Sequence, residues 1–112
     1  MTDLIESVSR NENHTVVRLN GEIDLHRSPE LHHALVDLCN EKPRRLIVNL
    51  SKVQYIDSSG IGSLVDVFRR LKRGGGALFL VSPSERVTSV LEITRLNEFF
   101  TIVADEQQAL SA

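Results

Sequence analysis

The residues best suited to chemistry lie together in Tyr55-Ile56-Asp57-Ser58-Ser59-Gly60-Ile61-Gly62. This segment is small, polar and turn-forming. It separates an apolar run, Arg45 to Leu50, from a helix-patterned run, Ile61 to Leu71. A serine hydroxyl at a helix start accepts a backbone N–H that the first turn leaves unpaired, so Ser58 and Ser59 are expected caps. The same place favours negative charge, because the peptide dipoles and free N–H groups point at it. Gly60 and Gly62 carry no side chain to hold off another backbone or a phosphate. The segment thus presents a serine where a phosphoryl group can be accommodated. Asp57, Ser58 and Ser59 would equally suit a plain turn and N-cap, and residue types alone leave both readings open.

Other chemistries fit this chain less well. A nucleophile elbow needs Gly-x-Ser-x-Gly, whereas Ile56 and Asp57 precede Ser58. His14, His26, His32 and His33 all come before Ser58, which excludes the Ser-Asp-His order of that fold. The chain is therefore not expected to be an enzyme. His32 and His33 read as a surface pair on a helix, and His26, near Asp24, lacks a second ligand at metal spacing. No metal or cofactor is expected. Gly74-Gly75-Gly76 is not followed by Lys-Ser or Lys-Thr, so it is no Walker-type loop.

With 112 residues the chain is long enough for one core and too short for two ordinary domains, so residues 1–112 are read as one domain. Four Phe, one Tyr and no Trp leave the core to Leu, Ile and Val. The net charge of −2 is spread along the chain, without the basic patch that marks nucleic-acid binding. Arg69-Arg70 with Lys72-Arg73 reads as the solvated last turn of a helix. The single cysteine, Cys39, has no internal disulfide partner and suits a reducing compartment. Met1-Thr2-Asp3-Leu4-Ile5-Glu6 has neither the basic region nor the apolar run of a signal peptide. No apolar stretch nears the roughly 20 residues that span a bilayer. A soluble cytoplasmic protein is expected.

The elements that must position the serine loop follow from periodicity. Leu4 to Val8 reads as an edge strand, Asn11-Glu12-Asn13 as a turn and Thr15 to Leu19 as a strand, together a hairpin. Asn20-Gly21-Glu22 breaks the pattern, and Ile23-Asp24-Leu25 resumes it briefly. Ser28-Pro29-Glu30 signals a helix start, with Ser28 as N-cap and Pro29 in the first position. Leu31, Ala34, Leu35 and Leu38 form its buried stripe, and Lys42-Pro43 ends it. Arg45 to Leu50 predicts a strand buried on both faces. Ile61, Leu64, Val65, Phe68 and Leu71 mark the next helix, closed by the glycines at 74–76. Ala77 to Val81 is a further strand. Ser82-Pro83-Ser84-Glu85 resembles a capping box for a third helix carrying Val87, Val90, Leu91 and Thr94. Phe99 to Val103 predicts a last strand, and Asp105 to Leu110 a frayed helical tail.

The order is β-β-α-β-α-β-α-β-(α). It predicts a single α/β domain with a mixed, mostly parallel sheet of about five strands, three to four helices and an antiparallel N-terminal strand. Functional loops should gather at the carboxyl ends of the strands. The Asp57 loop leaves such an end, and so does the segment holding Asp24 and Ser28.

The chain resembles STAS domains of the anti-sigma factor antagonist type. The likeness rests on Leu19-Asn20-Gly21-Glu22-Ile23-Asp24, on Leu46-Ile47-Val48-Asn49-Leu50 and on Tyr55 to Gly62, with the Gly74-Gly75-Gly76 break and the next strand and helix. It covers nearly the whole chain, and the Asp-Ser-Ser-Gly loop is its most specific part. The resemblance implies an unmodified antagonist that binds an anti-sigma factor with serine kinase activity and frees a sigma factor. That kinase would use ATP and magnesium to phosphorylate Ser58, and a PP2C-type phosphatase would reset it. Partner contacts would involve Asp24, Asp57, Ser58, Ser59, Gly60 and Ile61. For Asp24 a turn role, and for Ile61 a core role, remain alternatives. The resemblance also covers unphosphorylated STAS scaffolds of lipid-transport or stress-sensing assemblies. Neither reading calls for direct nucleic-acid or membrane binding.

Overall fold

β-Branched and aliphatic residues carry the first half of the chain into a sheet. The computed structural model describes residues 4–112. The part of the N-terminal expectation that concerns Met1, Thr2 and Asp3 lies outside the described residues. Strands β1 (Ile5–Arg10) and β2 (His14–Ile23) form the hairpin, paired antiparallel. Helix α1 (Ser28–Asn40), strand β3 (Arg45–Ile56), helix α2 (Ser58–Arg73), strand β4 (Ala77–Val81), helix α3 (Glu85–Ile93), strand β5 (Thr101–Val103) and helix α4 (Glu106–Ser111) follow. The five strands lie in chain order, β1-β2-β3-β4-β5, and all pairs after the first are parallel.

Each parallel crossover moves one strand over in the same direction. A constant crossover hand therefore puts α1, α2 and α3 on one face of the sheet. Val17, Leu46, Val48, Leu50, Leu78 and Leu80 meet that layer through Leu31, Leu35, Leu64, Val67, Val87 and Leu91. The alternate residues Val16, Ile47, Phe79 and Val81 face the other way and are covered by Ala109 of α4. The strand alternation explains why β3 and β4 are apolar without a break.

Several elements differ from the sequence expectation. β2 runs through Asn20-Gly21-Glu22, because Gly21 takes a φ of 94° at a register shift in its pairing with β3. β3 continues past Leu50 to Ile56, with Val53 and Ile56 buried while Ser51, Lys52 and Gln54 are exposed. Beyond Asn49 it pairs with β2 alone, so this extension is wet on its outer side. β5 begins only at Thr101, since Phe99 and Phe100 instead cluster with Phe68 at ring separations of 4.5 and 6.3 Å. Ser84, not Ser82, caps α3 by accepting from Val87 N at 3.2 Å, which leaves Pro83 outside the helix.

The tail is a docked helix. Glu106 accepts two bonds from Arg18, from Nε at 2.8 Å and Nη2 at 2.7 Å, and a third from Asn49 Nδ2 at 2.6 Å. The Arg18 bonds hold the Glu106 carboxyl below the usual range, against the cost of burial. None of the described helices is long and apolar enough to cross a membrane.

Glu106→Ala should release α4 while sparing the main core. Loss of the Arg18 and Asn49 bonds should cost about 1–2 kcal/mol. Amide exchange should accelerate in Glu106–Ser111 but not in α1 or α2. Because the folded Glu106 pKa is depressed, this stabilisation is present above about pH 4.3 and fades as pH falls further. Equal protection of α4 in both proteins would disprove the anchor.

Candidate functional site

Parallel pairing of β2 with β3 reaches the last residue of each strand, Ile23 opposite Ile56. The two loops that leave these ends are therefore neighbours, as the strand order requires. Asp57 N donates to Ile23 O at 3.1 Å and joins them at their base. Asp57 then sits in extended backbone, and its Oδ1 accepts from Ser59 N at 3.0 Å, Gly60 N at 3.3 Å and Ser59 Oγ at 2.5 Å. The Ser59 hydroxyl, followed by the Gly60, Ser59 and Leu25 N–H groups, holds the Asp57 carboxyl below the usual carboxylate range despite partial burial.

This arrangement corrects the capping expectation. Asp57 is the N-cap of α2, and Ser58 and Ser59 are its first two helical residues. A carboxylate on an extended residue reaches the second and third N–H groups, which a helical serine does not. Ser58, relieved of capping, is exposed at the start of the helix, while Ser59 is half-buried against Asp57.

Gly60 and Ile61 face inward. A methyl group on Gly60 would lie 2.6 Å from Ile56 Cγ1 and 2.8 Å from Ile23 Cγ2, so its missing side chain serves helix–strand packing. Ile61 is 4% exposed and belongs to the core, so it offers no exposed apolar contact. Ser63 is also buried, its hydroxyl donating to Ser59 O at 3.3 Å.

Asp24 Oδ1 accepts His26 N at 3.0 Å and Arg27 N at 3.1 Å, and its carbonyl oxygen accepts Ser28 N at 2.9 Å. Of its two readings, these bonds favour the turn. Ser28 is not a cap: Arg27 holds that position without a side-chain bond, and Ser28 is buried as the first helical residue. Sequence reasoning missed Leu25, which is 70% exposed between Asp24 and His26. In the sequence it reads as a brief resumption of the strand pattern with Ile23, two residues earlier, whereas β2 ends at Ile23 and Leu25 lies in the turn beyond.

Away from the loop, His32 Nε2 lies 2.7 Å from Asp66 Oδ2, which also takes Arg70 Nε at 2.7 Å, tying α1 to α2. Burial pushes the half-buried Cys39 thiol up to about 11, which keeps it protonated and unreactive at neutral pH. Among the described residues no three His, Cys, Asp or Glu side chains gather as metal ligands. The arrangement offers a solvent-facing hydroxyl on a capped helix end, beside a carboxylate already occupied by the Ser59 hydroxyl and the Ser59 and Gly60 N–H groups.

The family model for the STAS domain matches residues 7–109. The chain is 38% identical over 100 residues to the anti-sigma-B factor antagonist of Bacillus subtilis, covering 89% of this chain and 91% of that one. An anti-sigma factor antagonist from Mycobacterium paratuberculosis is structurally similar, with TM-score 0.84, 25% identity and coverage of 94% and 89%. So is the Bacillus cell fate determinant SpoIIAA in its phosphorylated form, with TM-score 0.68, 25% identity and coverage of 96% and 95%.

Gly60→Ala should destabilise the fold by about 1–3 kcal/mol through overpacking against Ile23 and Ile56. Asp57→Ala should cost about 1–2 kcal/mol as a lost N-cap. Asp57→Asn keeps the cap but not the charge. The folded Asp57 pKa is depressed, so wild type should exceed Asp57→Asn in stability above about pH 4, and the gap should close as pH falls further. Urea unfolding between acid and neutral pH measures all three, and a pH-independent gap would refute the charge assignment.

Proposed function

The chain belongs to the STAS domain family of anti-sigma factor antagonists, and from that premise we propose that it is a phosphorylation-controlled partner switch. Unmodified, it binds an anti-sigma factor that is also a serine kinase, and a sigma factor is released. The kinase, using ATP and magnesium, transfers the γ-phosphoryl group to Ser58 Oγ; the hydroxyl proton leaves and ADP is the other product. The phosphorylated chain no longer holds its partner. A PP2C-type phosphatase hydrolyses the ester and restores binding. The setting is the bacterial cytoplasm, and the chain itself is regulatory rather than catalytic.

One observation carries this reading: Ser58 is exposed at the first position of α2 because Asp57 performs the capping. A hydroxyl committed to the helix would be a poor phosphoryl acceptor. Phosphorylation adds about −1.5 to −2 charges beside the Asp57 carboxylate. The positive end of the helix dipole tolerates that charge within the domain. A partner surface packed over Ser58 would have to desolvate it and face it with its own charges. The switch therefore needs no change of fold, only a change in what can dock. The chain's structural similarity to SpoIIAA, whose phosphorylated form has been solved, supports the same reading.

Ser58→Asp, or the phosphorylated chain, should bind the anti-sigma kinase about a hundredfold more weakly than wild type, corresponding to ~2.7 kcal/mol. Ser58→Ala should bind normally and resist inactivation by ATP. Calorimetric titration of the three proteins decides the matter. Undiminished binding by Ser58→Asp and by phospho-Ser58 protein would remove the switch and favour an unphosphorylated STAS scaffold.

A further inference from the structure

Resting on the partner-switching reading, we propose that the anti-sigma kinase grips this chain at two positions flanking Ser58: an apolar anchor at Leu25 and an open helix face at Gly62. Leu25 is left in water, Gly62 weakens the free helix, and no packing inside the fold accounts for either. Leu25 is 70% exposed, in a turn that is hydrogen-bonded around it. Asp24 Oδ1 takes the His26 and Arg27 N–H groups, the Asp24 carbonyl oxygen takes those of Arg27 and Ser28, and Asp57 N donates to Ile23 O at the base of the turn. The side chain is thus held out in water by a bonded turn whose base is tied to the residue before Ser58. An anchor presented this way loses little conformational freedom on docking.

Gly62 makes the complementary case. It lies in the second turn of α2, is exposed and has ordinary negative φ. A methyl group there would meet no atom within 4 Å. Neither packing nor backbone conformation calls for glycine, and glycine weakens a helix relative to alanine. Gly60 differs, since Ile56 and Ile23 fill the space beside it. Gly62 is four residues after Ser58, so the two are neighbours on the helix surface. It opens onto a groove between α1 and α2 lined by Ser28, Pro29, His32, Ser59 and Ser63.

A kinase whose catalytic centre reaches Ser58 Oγ must cover both the next turn of α2 and the loop pinned to Asp57. The partner that fits has an apolar pocket for Leu25 and backbone close against Gly62. The other large exposed apolar residues are placed or explained differently. Ile93 ends α3, which returns against the strands toward the sheet edge away from Ser58, and Phe99 stacks on Phe68 at 4.5 Å.

The test compares Leu25→Ala, Gly62→Ala and Ile93→Ala for binding to the purified anti-sigma kinase of the same cells, with magnesium and ADP so that Ser58 stays unmodified. Leu25→Ala and Gly62→Ala should each weaken binding about tenfold or more. Gly62→Ala should at the same time raise Tm by a few degrees. Leu25→Ala should leave Tm unchanged, and Ile93→Ala should leave binding unchanged. Binding by Leu25→Ala and Gly62→Ala within twofold of wild type, while Ser58→Asp still loses it, overturns the two-point grip alone. A fall in Tm for Gly62→Ala also overturns it, because the glycine would then be structural. If Ser58→Asp binds like wild type, the partner-switching reading falls and this proposal falls with it.

Discussion

The Asp57 carboxylate is the interaction on which the site depends. It closes the first turn of α2 through Ser59 and Gly60, while the backbone N–H of the same residue bonds Ile23 O at the base of the neighbouring loop. One residue therefore fixes the helix start and joins it to the end of β2. Such a tie is available only because β2 and β3 run parallel to their ends, Ile23 opposite Ile56. Without that pairing the two loops would be separate, and the capped helix start would stand apart from the Asp24 turn.

The tie also divides labour among similar residues. Two adjacent serines begin α2, but the acceptor that satisfies its N–H groups is the aspartate before them. Ser59 is spent on Asp57 at 2.5 Å, and Ser58 faces solvent. A charge added at Ser58 meets the positive end of the helix on one side and an occupied carboxylate on the other. The domain can keep its structure around that charge, since Asp57 is held by the Ser59 hydroxyl and by N–H groups of the helix's own first turn. The effect is left to fall on whatever docks from outside.

Much of this was legible in sequence, and the misses share a cause. Apolar runs and helical stripes located the five strands and three main helices, because those patterns report burial directly. Side-chain capping was legible only as a list of candidates. Ser28, Ser82 and the Ser58-Ser59 pair all have the right chemistry, but one residue's shift in phase decides which of several polar neighbours is extended and which is already helical. The continuation of β3 through Ser51, Lys52 and Gln54 was hidden because only one side of that stretch is paired and covered. The docking of α4 depends on Arg18, Asn49 and Glu106, which are 88 and 57 residues apart along the chain, a separation no local pattern encodes. At the site, the place of the Asp57–Gly62 segment between a strand and a helix was legible, whereas the inward aim of Gly60 and Ile61 and the exposure of Leu25 depend on how α2 meets β2 and β3.

The topology itself bears on what kind of ligand this site can serve. Open α/β sheets that bind small molecules do so where the strand order reverses, because helices on opposite faces part there and leave a crevice. Here the order never reverses, and α1 to α3 lie on one face. The carboxyl edge carries helix starts and short turns, with an open groove between α1 and α2 beside Ser59. An edge carrying an exposed hydroxyl and an exposed leucine presents both outward, where another protein can cover them. With the strands in chain order and no such reversal, Ser58 stands exposed where α2 leaves the carboxyl end of β3, open to whatever docks on that edge.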